Sequence, residues 1–214
     1  MSLQYVEIFF QVVAFLFAIS VHESAHAYVA WRCGDPTARM LGRVTLNPLK
    51  HIDIWGTVII PLFAIISGFP VIGWAKPTPV NPRNFRNVMR DDILTSLAGP
   101  TSNMMVATAT VVLLILIKHL VPGGLSENSP LEPVVLLLYE CMVINVLLAC
   151  FNVIPIPPLD GSHVLRHFLP ERLMRAYQMF GIVGLILLFW WGRPILTLLM
   201  APFLNFFNTL LTRL

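Results

Sequence analysis

The sequence carries little charge for its length of 214 residues. Asp, Glu, Lys and Arg together make up 12% of the chain, about half their share in an ordinary soluble domain, whereas 57% of the residues are hydrophobic. One soluble core of this size cannot bury so much apolar surface. The composition therefore excludes a soluble enzyme and a disordered chain. Uncharged runs such as residues 93–117 are instead long enough for helices that cross a bilayer.

Cysteine and a concentrated charge of one sign are also missing. The three cysteines are Cys33, Cys141 and Cys150, too few and too scattered for the disulfide framework of a small secreted domain, and we expect small buried or interfacial thiols. Lys and Arg exceed Asp and Glu by 14 to 11, but they lie scattered between apolar segments. A nucleic-acid partner, which needs basic residues gathered on one face, is therefore not expected.

Hydropathy predicts an all-α polytopic membrane protein with about five transmembrane helices. The last two are short, which leaves open that one of them lies in the membrane interface. The whole chain, 1–214, is expected to form a single membrane-embedded domain, with a motif-bearing core at 5–161 and C-terminal helices at 176–211. The predicted crossings are residues 5–31, 93–117, 134–154, 176–192 and 194–211.

The basic residues predict which segments face the cytoplasm, because Lys and Arg are enriched on that side of a membrane. The stretches 32–50, 76–90 and 162–175 carry three or four basic residues each, whereas 118–133 carries one. The first three are therefore expected on the cytoplasmic side. Segment 54–75 has basic flanks at both ends and is broken by Gly and Pro, which favours a re-entrant hairpin. The alternative is a sixth crossing.

Residues 40–47 are predicted to form a short membrane-associated β-strand or hairpin. Val44 and Thr45 are β-branched, and Asn47-Pro48 is a typical strand end. An edge strand can pair with an extended peptide. We therefore expect residues 41–46 to bind a substrate in this way if the protein acts on peptides.

His22 and His26 lie inside the first predicted crossing, in the run His22-Glu23-Ser24-Ala25-His26. At about 100° per residue, positions four apart share one helix face, so the two imidazoles can hold one Zn²⁺. Glu23 follows the first histidine and is expected beside the ion, where it can move a proton to and from a reacting water. Ionisable side chains inside a crossing are costly and usually mark function.

A third ligand is needed, because a catalytic zinc ion usually has three protein ligands and one open position. The candidate is Asp160, in a Pro-rich stretch that follows the third predicted crossing, 134–154. Three prolines stop that helix and Asp160-Gly161 is a typical turn, so a plain turn or a helix-capping role fits the residues as well as metal ligation does. Nearby His163 is most simply an interfacial or hydrogen-bonded histidine.

The motifs together resemble those of the site-2 proteases, zinc metalloproteases that cut peptide bonds within the membrane. The resemblance rests on His-Glu-x-x-His at 22–26, Gly-x-x-x-Asn at 99–103 and Asn-x-x-Pro-x-x-x-x-Asp-Gly at 152–161, which occur in the family's order. It implies that Asp160 is the third metal ligand. It also implies that Asn152 and Asn103 bind substrate or stabilise the transition state near the zinc. The alternative for each of the two is a hydrogen bond between helices. The chain resembles a minimal form of this family, one without an appended regulatory domain.

The expected function is therefore intramembrane proteolysis. The expected cofactor is one Zn²⁺ per chain, held by His22, His26 and Asp160, with Glu23 as the catalytic residue. The expected substrates are transmembrane proteins, cut near the cytoplasmic side of a cell membrane, which we expect to be a prokaryotic cytoplasmic membrane. A zinc or proton-coupled transporter using the same ligands is the alternative. A catalytically silent binding protein is disfavoured because the motif is intact.

Overall fold

The structure is a computed structural model that describes residues 3–59, 63, 74–121 and 129–213. Seven α-helices occur in these residues. They are α1 (Leu3–Arg32), α2 (Thr37–Met40), α3 (Val88–Leu120), α4 (Glu132–Val153), α5 (Asp160–Leu165), α6 (Glu171–Trp191) and α7 (Arg193–Arg213). Three short 3₁₀ turns at Pro48–Lys50, Pro82–Asn84 and Arg166–Phe168, and a π-helical stretch at Ile54–Ile59, complete the regular structure.

Five of these helices are long and apolar enough to cross a membrane, which confirms the predicted fold class. They are α1, α3, α4, α6 and α7. Side-chain composition explains their starts and ends. Asn87 caps α3 by accepting a hydrogen bond from the Arg90 amide at 3.0 Å, and α4 ends at Val153 because Pro155 cannot continue it.

The centre of the fold is a bundle of α1, α3 and α4. On α1 the facing residues are small, and Ala14, Ala18, Ala27 and Ala30 are fully buried. Small residues let membrane helices approach closely, which replaces the hydrophobic driving force that lipid removes. A buried apolar cluster joins α3, α4 and α7. Its buried members are Ala107, Val111, Met142, Val146, Cys150 and Phe207.

Neighbouring helices of this bundle are antiparallel. His26 contacts Thr95, whereas Ala18, two turns earlier on α1, contacts Asn103, eight residues later on α3. Asn103 in turn contacts Asn145 of α4. The bundle therefore has two ends. We call the end where α1 and α4 finish and α3 begins the site end, and the opposite end, where α3 finishes, the far end.

The predicted β-strand at residues 40–47 is wrong. Residue 40 ends α2, and the residues that follow form turns and bends. The physical reason is Gly42, whose left-handed φ of 68° turns the chain sharply after α2, with its amide bonded back to the Arg39 carbonyl at 2.9 Å. The buried Arg43 guanidinium then binds the Lys50 carbonyl, so side chains rather than a neighbouring strand fix this segment.

The predicted re-entrant segment 54–75 is described only at its ends, and residues 60–62 and 64–73 lie outside the described residues. The two ends meet. The Trp74 amide donates to the Gly56 carbonyl at 3.1 Å, and the Lys76 amide donates to the His51 carbonyl at 2.8 Å. A single helical crossing separates its ends by about 30 Å. The contacts at the two ends therefore favour a segment that enters and leaves the membrane on the same side.

Asp35 joins the loop after α1 to the segment before α3. Its carboxylate is fully buried and accepts hydrogen bonds from the Asn81 amide at 2.7 Å, from Asn84 Nδ2 at 2.8 Å and from both the amide and the hydroxyl of Thr37. Burial by itself raises the pKa of this carboxyl, but these four donors outweigh it and hold the pKa below its ordinary value.

We expect Asp35→Ala to lower the free energy of unfolding at neutral pH by on the order of 2–3 kcal/mol, because buried donors lose a charged acceptor. Since folding lowers the pKa of Asp35, its contribution is present above the unfolded pKa and disappears as the pH falls through the folded value. Thermal unfolding in detergent at pH 7 and pH 3 measures both effects. The exposed carboxylate variant Glu7→Ala is the control, and an equal loss at both pH values would contradict the prediction.

Candidate metal centre

His22 and His26 face each other one helical turn apart on α1, as their spacing predicts. Their Nε2 atoms are 3.1 Å apart, and both side chains are buried, with 7% and 8% of their surface exposed. The pair lies well inside the helix. His22 precedes Arg32, the last residue of α1, by ten positions, which is about 15 Å along the axis.

Asp160 completes a trio with the two histidines. Its Oδ2 atom lies 3.2 Å from His22 Nε2 and 3.3 Å from His26 Nε2. Asp160 is the first residue of α5. This helix returns towards the bundle after the prolines have ended α4. Gly161 permits this return, because a Cβ at that position would lie 2.0 Å from the Val153 carbonyl oxygen.

The dimensions of this trio fit a zinc ion. Atoms bonded to a tetrahedral Zn²⁺ at about 2.0–2.1 Å lie about 3.3–3.4 Å from one another, and the three distances here are 3.1, 3.2 and 3.3 Å. Asp160 Oδ2 is buried and has no hydrogen-bond partner, which is costly unless a cation or proton satisfies it. Among the described residues, this is the group of His, Cys, Asp and Glu side chains able to hold a metal ion.

The other ring nitrogens of the histidines are held by oxygen acceptors. His26 Nδ1 lies 2.7 Å from the Thr95 carbonyl oxygen, which can only accept, so Nδ1 carries the proton. His22 Nδ1 lies 2.6 Å from Asn103 Oδ1. With the proton on Nδ1, each neutral ring turns the lone pair of its Nε2 towards Asp160. This is the arrangement that metal-ligating histidines adopt.

A chain of buried amides fixes the orientation of Asn103. Its Nδ2 donates to the Ala18 carbonyl at 3.1 Å and to Asn145 Oδ1 at 2.7 Å, while Asn145 Nδ2 donates to the Cys141 carbonyl at 2.8 Å. Because both end carbonyls can only accept, Asn103 must present its oxygen to His22. Asn103 and Asn145 are fully buried. The structure therefore places Asn103 behind His22 as its hydrogen-bond partner.

Gly99 on α3 allows the two imidazoles to fit against that helix. A Cβ at this position would lie 2.4 Å from His26 Nε2 and 2.6 Å from His22 Nε2. No side chain fits there without displacing the rings. The Gly-x-x-x-Asn spacing thus has a physical meaning, since Gly99 makes room for the imidazoles and Asn103 binds one of them.

Glu23 lies beside the trio and is half-buried. Its Oε2 accepts a hydrogen bond from the Thr78 amide at 2.8 Å, and the Thr78 hydroxyl donates to the Glu23 carbonyl at 2.9 Å. Thr78 belongs to the stretch 74–80, which has no regular secondary structure and lies where segment 54–75 ends. This stretch therefore covers one side of the site and orients the Glu23 carboxylate.

The trio and Glu23 open into a cavity of about 530 Å³. Asn152 also lines this cavity, and its Nδ2 donates to the Leu148 carbonyl at 3.0 Å. A volume of this size admits a short stretch of extended peptide. The structure thus brings His22, His26, Asp160, Glu23 and Asn152 to one cavity.

Asp92 secures the element that carries Asp160. Its buried carboxylate accepts from Arg166 Nη2 at 2.7 Å and lies 2.6 Å from His167 Nε2, while His163 Nδ1 is 3.8 Å away. These three residues lie on α5 and the turn that follows it. The contacts tie that turn to the start of α3, so they help to hold Asp160 opposite the histidines.

Sequence reasoning missed Asn145, Thr78 and Asp92 as parts of the site. The sequence held a signal for Asn145, since an amide in the uncharged run 141–159 must find a partner at membrane depth. Asp92 had a weaker one, as an acidic residue at the start of a crossing. Thr78 had none, because its contact with Glu23 depends on where the chain returns after residue 73.

Comparison with known proteins agrees with this geometry. Residues 124–190 match the model of a family described as Peptidase family M50. The chain is 34% identical to "Putative zinc metalloprotease YwhC" of Bacillus subtilis over 91% of its own length and 85% of that protein. It is 31% identical to "Putative zinc metalloprotease Rip2" of Mycobacterium tuberculosis, over 87% of its length and 69% of the relative. The Rip2 protein of Mycolicibacterium smegmatis is 30% identical, over 95% and 71%. None of the solved structures matches the chain.

We expect Gly99→Ala to lower the zinc content of the purified protein at least tenfold, since the added methyl group displaces both imidazole rings. Alanine favours a helix more than glycine does, so α3 itself is not weakened. Mass spectrometry of bound metal measures the effect. The control is Thr101→Ala, at an exposed position of the same helix, and zinc content equal to that of the wild type in Gly99→Ala would contradict the prediction.

Proposed function

The chain belongs to peptidase family M50, the zinc metalloproteases of the site-2 protease type, and from this membership we propose that it hydrolyses peptide bonds of transmembrane protein substrates inside the bilayer. The observation that carries the proposal is the convergence of His22, His26, Asp160 and Glu23 on one cavity within the helix bundle. A soluble substrate would not need a site about 15 Å from the end of a membrane helix.

His22, His26 and Asp160 would hold one zinc ion per chain. Three protein ligands leave a fourth position, which catalytic sites use for water or substrate. When bound, zinc supplies Lewis acidity that polarises a carbonyl and lowers the pKa of water to near neutrality. The Nδ1 contacts with Thr95 and Asn103 support this role, because they place the proton of each neutral ring on Nδ1 and leave Nε2 to bind the ion.

Glu23 acts as general base and then as general acid. Its carboxylate takes a proton from the attacking water and returns it to the leaving amide nitrogen. The hydrogen bond from the Thr78 amide to Oε2 restricts the rotation of the carboxylate and leaves its other oxygen to handle the proton. Thr78 is thus a positioning residue for the base.

The substrate must be extended where it is cut, because a helix hides its carbonyls in hydrogen bonds along its own axis. Asn152 lines the cavity and is suited to bind the backbone of such a peptide. Asn103 was also predicted to bind substrate, and this stays a prediction. The contacts of Asn103 favour a different role, the positioning of His22.

The site is proposed to face the cytoplasm of a prokaryotic cell. The segments at the site end carry most of the basic residues, whereas Lys118 is the basic residue of segment 118–133 at the far end. The named relatives are bacterial. The protein would therefore be a single multi-pass domain of the cytoplasmic membrane that cuts its substrates in the cytoplasmic half of the bilayer.

We expect Glu23→Gln to keep its zinc and to cut at least about 10²-fold more slowly, because general acid–base transfer contributes about 10²–10⁴-fold. The assay is cleavage of a transmembrane peptide by protein reconstituted in liposomes, with zinc content measured on the same sample. Glu171→Gln, at an exposed position of α6, is the control. Cleavage by Glu23→Gln at the wild-type rate would remove Glu23 from the mechanism.

The same liposomes distinguish a protease from a transporter. A zinc-sensitive dye inside the liposomes should show no zinc entry beyond that of empty liposomes, while the peptide is cut. Zinc entry that depends on the protein, without any cleavage, would favour the transporter. Among the described residues, the order of helices does not repeat in two halves, as it does in many secondary transporters.

A further inference from the structure

Helix α6 is long and apolar enough to cross a membrane, yet its contacts through Tyr177, Gly181 and Leu188 lie at the site end. The Tyr177 hydroxyl donates to the Pro155 carbonyl at 3.0 Å. Three turns later, Leu188 packs with Ile154 and Leu159 in a small buried cluster. Between them, Gly181 lies against Pro157. The helix thus runs along the stretch that follows α4 and meets α4 near the end of that helix, at Phe151.

Helix α7 runs from the site end to the far end. Near its start, the Leu199 carbonyl accepts a hydrogen bond from Cys150 Sγ at 3.5 Å, one turn before α4 finishes at the site end. Near its end, the Leu211 carbonyl accepts from Lys118 Nζ at 2.8 Å, where α3 finishes at the far end. Phe207, between these points, is buried in the cluster that joins α3, α4 and α7.

These two sets of contacts fix the topology of the C-terminal part. α4 brings the chain to the site end, and α7 leaves from the site end. A crossing by α6 would deliver the chain to the far end, where α7 does not begin. We propose that α6 does not cross the bilayer but lies in its site-side leaflet, with its exposed surface against lipid acyl chains. Four of the five described candidate spans then cross, and α7 ends on the far side.

The distribution of charge along α6 fits this position. Its first half carries Glu171, Arg172, Arg175 and Gln178, whereas residues 179–192 hold no charge. Polarity therefore changes along the helix rather than around it. Such a helix is suited to dip from the headgroups into the hydrocarbon, with its charged start at the surface.

The apolar half of α6 is uncovered by protein. Met179 is 80% exposed, Ile182 is 73% exposed and Trp191 is 70% exposed. These side chains project on several sides of the helix, so one protein partner in a groove would leave part of them in water. The surrounding acyl chains of a leaflet cover all of them.

The depth that α6 reaches follows from its last turn. Leu188 packs beside Phe151, which lies two residues before the end of α4 at the site end. The C-terminal end of α6 therefore reaches the last turns of α4, near the site end, and not the far surface. Arg193, which follows it, is exposed and has a side chain long enough to extend back to the site-side surface.

Cysteine labelling tests this topology directly and does not depend on catalysis. Thr212→Cys, at an exposed position near the end of α7, is treated with a membrane-impermeant maleimide on sealed vesicles of one orientation. Leu120→Cys marks the far side and Arg172→Cys marks the site side. The three native cysteines are buried, each with 8% or less of its surface exposed, so the unsubstituted protein gives the background.

We expect Thr212→Cys to react on the same side as Leu120→Cys and opposite to Arg172→Cys. Reaction of Thr212→Cys on the Arg172 side would mean that α6 crosses, and would overturn the proposal. A second variant, Arg193→Cys, should stay unlabelled from the Leu120 side, and labelling from that side would overturn it too. Zinc content and thermal unfolding show that each variant is folded, and a loss of protease activity would leave these labelling outcomes unaffected.

Discussion

The structure depends on the arrangement of three candidate ligand atoms, each of which presents a lone pair and none of which has a proton to donate to the others. The Nε2 lone pairs of His22 and His26 and a carboxylate oxygen of Asp160 converge within 3.3 Å in a buried site. In a low-dielectric interior, such a set is stable only around a positive charge. The surrounding helices serve this requirement, since Thr95 and Asn103 hold the Nδ1 atoms and Gly99 leaves room for the rings. The same contacts therefore shape the candidate metal centre and pack α1 against α3.

The membrane raises the cost of every polar group in this arrangement, and the fold pairs them accordingly. The amides of Asn103 and Asn145 bond to each other and end on backbone carbonyls, so both N–H groups of Asn103 have acceptors. The prolines after α4 free backbone groups at the same depth, and that irregular stretch lies against α6. A lipid-embedded α6 would thus protect the stretch that carries Asp160.

The helices hold the candidate metal ligands, whereas the connections between them hold Glu23, the proposed base. Thr78 reaches Glu23 only because the chain returns after segment 54–75 to the side from which it left. Asp35 then fixes the following residues against the end of α1 through Asn81 and Asn84. Two loops far apart in sequence are therefore linked to the same helix that carries the two histidines.

The sequence by itself determined the helical membrane class, the five candidate spans and the pairing of His22 with His26, because hydropathy and the helical repeat are local properties. It left the role of Asp160 open, and the resemblance to a family, rather than spacing, supplied that ligand. It misjudged residues 40–47, where Gly42 turns the chain and Arg43 anchors it, although β-branched residues suggested a strand. Only the tertiary structure decided how Asn103 and Asn145 orient His22, that Thr78 binds Glu23, and at which end α7 begins. Each of these depends on contacts between residues more than 40 positions apart, and such contacts leave no periodic trace in the sequence.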